Sequence, residues 1–194
     1  MNTIEILVQG QHYHEWPCLK VLVNNQTVYD NYVSGLTTIK FDLDQLQTNN
    51  TLTLVHHSKQ FGENGIYDTD HDGGQDRGLD RGIYVKDIRF DGITIGEHKI
   101  NQLVFQTQWT QLQQQELDSD FVEKHSCFEC NGYMGFNGHI DIDFWTPLME
   151  WLTVYKYKVD RQSGLAYFSA YDQRWHYNED LKIIKEIKEL MKFE

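Results

Sequence analysis

Apolar residues in this chain alternate with polar ones in short runs, and a period of two is the pattern of a strand with one buried face. Residues 4–8, 19–23, 39–43 and 52–55 all read this way. Turn-forming residues fall between the runs: Asn24-Asn25 separates residues 19–23 from Thr27-Val28-Tyr29, and Thr48-Asn49-Asn50 precedes residues 52–55. The expectation is an antiparallel sheet rich in hairpins, because no helix-length periodicity interrupts the strands as βαβ units would require.

Strand character resumes after a polar stretch, over residues 83–90, with a turn at Asp91-Gly92 and a return through Ile93-Thr94-Ile95. Leu103-Val104-Phe105 reads as a further strand, and residues 106–120, rich in Gln, fit either a loop or a short helix. Ile140-Asp141-Ile142-Asp143-Phe144 alternates cleanly, with both acids on the solvent side, and Pro147 ends or redirects it. Residues 153–159 and 165–168 flank a Gly-containing loop and predict an extra β-hairpin.

The chain then changes period. Asn178 suits an N-cap, Glu179 and Asp180 favour the positive end of a helix, and Leu181, Ile184, Ile187, Leu190 and Met191 recur at helical spacing. One amphipathic helix is predicted there. Its apolar stripe is a candidate assembly interface, since such a face must cover either the same chain or a neighbour. The predicted architecture is mainly β, an antiparallel sandwich over residues 1–152, with a hairpin and helix over residues 153–194 as a docking element.

Composition narrows the partners. With 194 residues, 40% hydrophobic and 13% aromatic, the chain has enough apolar surface for a core. A net charge of -12 disfavours nucleic acid, whose binding needs Lys and Arg to displace phosphate counterions. Residues 1–5 lack the charged and apolar segments of a secretion signal, and no apolar run reaches a membrane span. Synthesis in a cytoplasm and no membrane insertion are expected. Three cysteines, Cys18, Cys127 and Cys130, are too few and odd in number for a disulfide framework.

The sharpest chemical motif is Asp68-Thr69-Asp70-His71-Asp72-Gly73-Gly74-Gln75-Asp76, followed by Asp80. Carboxylates at alternate positions, with glycine at the sixth, let a tight loop offer hard oxygen ligands to Ca2+. Asp68, Asp70, Asp72, Gly74, Asp76 and Asp80 form the candidate metal set, although Leu79 stands where an EF-hand would place its closing Glu. A solvated Asp- and Gly-rich turn is the alternative. His125-Ser126-Cys127-Phe128-Glu129-Cys130 carries a Cys-x-x-Cys pair, but Zn2+ would need further ligands to close a tetrahedron, so free thiols are favoured.

Residues 79–92, Leu-Asp-Arg-Gly-Ile-Tyr-Val-Lys-Asp-Ile-Arg-Phe-Asp-Gly, resemble a stretch of calcium-dependent xylan-binding modules. That resemblance implies a jelly-roll-like β-sandwich, with Asp80 as the one transferable calcium ligand. Gly82 stands where those modules have Asn, and Lys86 where they have Asp. Gly135-Phe136-Asn137-Gly138 and residues 144–152, with Pro147, Trp151 and Leu152, resemble virion proteins of contractile-tailed marine phages. That second resemblance implies a structural virion protein: a decoration, neck, baseplate or fibre-associated component contacting other virion proteins or itself, and a host glycan. A calcium-dependent carbohydrate-binding module is the competing reading.

Tyr13, Trp16 and Tyr67 are candidate ligand-binding aromatics because they neighbour loops, where a flat ring can stack on a sugar. Core or interface packing is the default for most of Trp16, Trp109, Trp145, Trp151, Trp175 and the tyrosines. His12 and His14 share a strand face at a spacing compatible with a metal, with a polar rim beside Trp16 as the favoured alternative, whereas His56 and His57 point to opposite faces. One of that pair is expected to be buried and hydrogen-bonded. Asp141 and Asp143 fit a solvated face better than a glycosidase pair, and the common nucleophile, phosphate-loop and metalloprotease motifs are missing, so no catalytic residues are assigned.

Overall fold

The computed structural model of the chain describes residues 2–12, 15–43, 46–57, 59 and 81–157. Two units are distinguished, residues 1–151 and 152–194. The first is a β-sandwich of two antiparallel sheets.

One sheet contains β1 (Asn2–Gly10), β4 (Leu36–Leu43), β6 (Ile83–Phe90), β7 (Ile93–Thr94) and β10 (Tyr133–Met134). Its order is β10-β6-β1-β4, with β7 also pairing β6. The other contains β2 (Cys18–Val23), β3 (Gln26–Tyr32), β5 (Asn49–His56), β8 (Val104–Thr107), β9 (Cys127–Glu129) and β11 (Gly138–Trp145), ordered β3-β2-β5-β11-β8-β9. Hairpins join β2 to β3 and β6 to β7, but the chain changes sheet between β1 and β2, β3 and β4, β4 and β5, and β5 and β6. Crossing connections therefore organise the fold more than the expected hairpins do.

The period-two runs place their apolar residues inward. Ile4, Ile6 and Val8 of β1, Leu19 and Val21 of β2, Leu52 and Leu54 of β5, and Ile140 and Ile142 of β11 are all buried. In β6 the alternation changes phase, since Val85 and Ile88 are both buried although three apart. The cause is a bulge: Leu7 pairs Asp87 and Val8 pairs Val85, which leaves Lys86 as an extra residue and resets the phase. The sheets meet through Phe90 of β6 and Phe144 of β11, with ring centroids 5.2 Å apart, and Trp151 packs edge-on to Phe90 at 4.8 Å. This aromatic trio closes one end of the core.

Two of the predicted turns adopt the backbone their residues suit, whereas Asn49 and Asn50, expected in a turn before residues 52–55, already belong to β5 and pair with Trp145 and Phe144. Asn24 and Asn25 have φ of 51° and 66°, and Asp91 and Gly92 have 51° and 79°, as two-residue hairpins require. Between β8 and β9 lie α2 (Gln111–Glu116) and α3 (Ser119–Lys124). Thr110 and Gln113 form a reciprocal capping box on α2, and Asp118 caps α3 by accepting from the Asp120 and Phe121 amides. A short helix, α1 (Glu97–Asn101), follows β7.

One expectation is overturned. Residues 153–157 are not strand but the last part of α4 (Leu148–Tyr157). Their Val and Tyr residues favour strands locally, but the preceding Leu148 and Trp151, three apart and both buried, set a helical period that continues through them. The rest of the predicted hairpin, and the helix bearing Leu181, Ile184, Ile187, Leu190 and Met191, lie outside the described residues.

Candidate functional site

Strands β5 and β11 run side by side along the whole second sheet, from the pair His56–Gly138 at one end to Asn49–Trp145 at the other. Each end gathers polar side chains, in different ways.

At the first end the polar groups are buried. His56 is fully inaccessible, and its Nδ1 lies 2.9 Å from the Phe136 carbonyl, which can only accept, so Nδ1 carries the proton. Burial, reinforced by the nearby Lys59 charge, lowers the His56 pKa to about 3. Lys59 is also buried, and its ammonium donates to the Gly135 carbonyl and lies 5.6 Å from the Phe136 ring centre. Its backbone is clasped by the Asn137 amide, which accepts from Lys59 N at 2.9 Å and donates to Lys59 O at 2.7 Å. The Arg81 guanidinium is 3% exposed and pairs with Glu15 at 3.1 Å. Gln11 N donates to Gly82 O at 2.9 Å.

Lys59 and Arg81 flank residues 60–80 in sequence, so the two chain segments bordering the acidic stretch are held by buried cations. The metal candidates Asp68, Asp70, Asp72, Gly74, Asp76 and Asp80, and the aromatic candidates Tyr13 and Tyr67, lie outside the described residues, as does His14. Trp16 is half-buried, with His12 packed edge-on to it at 4.8 Å.

At the second end the polar groups are neutral amides and one carboxylate around an open groove. Asn49, Asn50, Thr51, Asp143, Phe144 and Trp145 line a cavity of about 350 Å³. Its floor is fixed by Asn50, which is buried, accepts from Asn24 Nδ2 and Gln47 N at 2.9 Å each, and donates to Gln47 O at 2.8 Å. Asn24 in turn accepts from Thr51 N at 3.0 Å. Asp143 accepts from the Thr51 hydroxyl at 2.7 Å, and one step along the same face Asp141 accepts from Thr53 at 2.6 Å. Asp143 is exposed and Trp145 half-exposed, so an aromatic ring, a carboxylate, a hydroxyl and amides converge on one groove. Trp145 follows Asp141 and Asp143 at period two on the outer face, while one side of its ring packs edge-on to the buried Trp151 at 6.5 Å.

The remaining candidates have structural explanations. Trp109 donates to Ser126 Oγ at 3.0 Å and packs at 5.1 Å from Phe136, and Trp151 belongs to the core trio. Cys127 is exposed and Cys130 buried, and among the described residues neither joins a metal-ligating group. Burial raises the Cys130 pKa, which favours an inert thiol. Gly82, where the xylan-binding modules have Asn, faces the Tyr133 ring, and a Cβ there would come within 2.7 Å of Cζ. A larger residue there requires the Tyr133 ring to shift.

No family model matches the chain, and no curated protein matches it. Two solved structures of vCBM60 do, one described with two families of calcium-dependent carbohydrate binding modules and the other in complex with galactobiose. The first has a TM-score of 0.45 and 14% identity over 73% of this chain and 89% of that one. The second has 0.43 and 14% over 72% and 95%.

Proposed function

We propose that this chain is a non-catalytic module that binds a carbohydrate in the groove at the Asn49–Trp145 end of the second sheet. The observation that carries this is the groove's composition: Trp145 offers an apolar face for a sugar ring, while Asp143, Thr51 and Asn49 offer acceptors and donors for its hydroxyls. A negative chain suits a neutral polyhydroxylated ligand. Calcium at Asp68, Asp70, Asp72, Gly74, Asp76 and Asp80 belongs to the same reading, with alternate carboxylates as its support.

Affinity electrophoresis through gels containing neutral polysaccharides tests the module. The expectation is that at least one retards the chain, that Trp145→Ala abolishes the retardation, and that a chelator weakens it if calcium takes part. Unchanged mobility in every gel removes the reading.

A second reading is a structural component of a tailed-phage virion. One observation favours it: β3 is an edge strand accessible along its length, and Tyr32 and Leu36 beside it are 57% and 67% exposed. Such an edge pairs readily with another chain. The residues of the virion-protein resemblance, by contrast, anchor Lys59 and fill the core, so they speak for architecture. Light scattering that returns a monomer removes the self-assembly part of this reading.

A further inference from the structure

Beyond the glycan groove, we infer that Cys18, Asp30 and His57 form a site for a thiolate-preferring divalent cation, Zn2+, on the outer face of the second sheet. Unlike Cys127 and Cys130, which lie in one short segment, these three residues lie on or next to separate strands and are joined by strand pairing. Cys18 opens β2, Asp30 lies on β3, which pairs with β2 through Lys20 opposite Asp30, and His57 follows the last residue of β5, whose His56 pairs Leu19.

The ligand atoms lie within 4.8 Å of one another. Asp30 Oδ1 is 3.3 Å from His57 Nε2 and 3.8 Å from Cys18 Sγ. Zinc bonds of the usual length at tetrahedral angles separate N from O by about 3.4 Å and S from O by about 3.6 Å. Both edges at Asp30 are within about 0.2 Å of those values, and binding draws Cys18 and His57, within 4.8 Å of each other, onto the same ion. Thiolate, imidazole and carboxylate form a donor set suited to zinc, and three protein ligands leave a fourth position open.

The surroundings orient the set. Lys20 Nζ holds the other carboxylate oxygen, Oδ2, at 3.1 Å, which leaves Oδ1 turned to Cys18 and His57. This is how an outer partner fixes a ligating carboxylate. Burial, and then the neighbouring Asp30 carboxylate, raise the Cys18 pKa. A cation between them reverses the second effect and releases the thiol proton.

Titration of the full chain with Co2+ in excess Ca2+, which occupies hard oxygen sites, tests this. The expected result is one equivalent bound with a thiolate-to-cobalt charge-transfer band that Zn2+ abolishes. Cys18→Ser should remove the band, His57→Gln should weaken binding at least tenfold, and the double variant Cys127→Ser, Cys130→Ser should leave both unchanged. Circular dichroism checks that each variant is folded. Absence of the band in the wild type, its persistence in Cys18→Ser, or its loss in the double variant overturns the proposal.

Discussion

The two ends of the β5–β11 pair handle polar groups in opposite ways. At the His56 end, Lys59, Arg81 and His56 are withdrawn from water and committed to Gly135, Phe136, Asn137 and Glu15. At the Trp145 end, Asn24, Gln47 and Asn50 satisfy one another's amides, while Asp143 and Trp145 stay accessible. Buried charge is expensive to leave without partners, so the first arrangement fixes the chain on both sides of residues 60–80 and leaves little freedom for a ligand. Neutral amides that pair internally give a rigid groove without that cost. One end holds its own chain, and the other leaves a carboxylate and part of an aromatic ring facing solvent.

The aromatic trio closes the core at the Trp145 end, and its loss has the largest effect. Trp151→Ala should destabilise the fold by ~3–5 kcal/mol, read from urea unfolding. A loss of less than about 1 kcal/mol would show that the sheets do not share this core.

Acid separates the ends next. His56 has a folded pKa of about 3 against 6.5 for the ordinary side chain, so between those values the unfolded chain binds the extra proton. Its contribution is full above pH 6.5 and declines by ~1.4 kcal/mol per pH unit as pH falls toward 3. His56→Gln should lack this component, so the wild-type advantage should shrink between pH 7 and pH 4.5. A constant difference across that range would contradict the buried neutral imidazole.

Asn50→Ala removes the support of the groove floor and should cost ~1–3 kcal/mol, because it leaves the Gln47 and Asn24 partners unmet. It should also weaken ligand binding, whereas His56→Gln should not. The smallest effect is expected for Thr53→Val, which loses an exposed hydrogen bond to Asp141 and should change stability by less than ~1 kcal/mol.

Much of this was legible in the sequence. The period-two runs marked β1, β2, β5, β6 and β11, since a sheet with one wet face imposes that period, and Asn24-Asn25 and Asp91-Gly92 marked turns that need positive φ. The split of His56 from His57 followed from the same alternation: one is buried on Phe136 O and the other exposed beside Asp30. Residues 153–157 misled because their strand propensity is local, while the helix is set by Leu148 and Trp151 upstream. The Cys18–Asp30–His57 group was illegible because it depends on which strands neighbour one another. The Asn24-Asn25 hairpin alone could have suggested facing Lys20 with Asp30, but not placing β5 beside them.

Under the proposed function, the Trp145 end receives the glycan. Two-dimensional NMR of the isotope-labelled chain, titrated with an oligosaccharide from whichever polysaccharide retards it, tests this most directly. The expected result is that the Trp145 indole N–H and the amides of Asn49, Thr51 and Asp143 shift together in proportion to occupancy. Shifts confined to His57, Lys59, Arg81 and their neighbours would place recognition at the opposite end and contradict it.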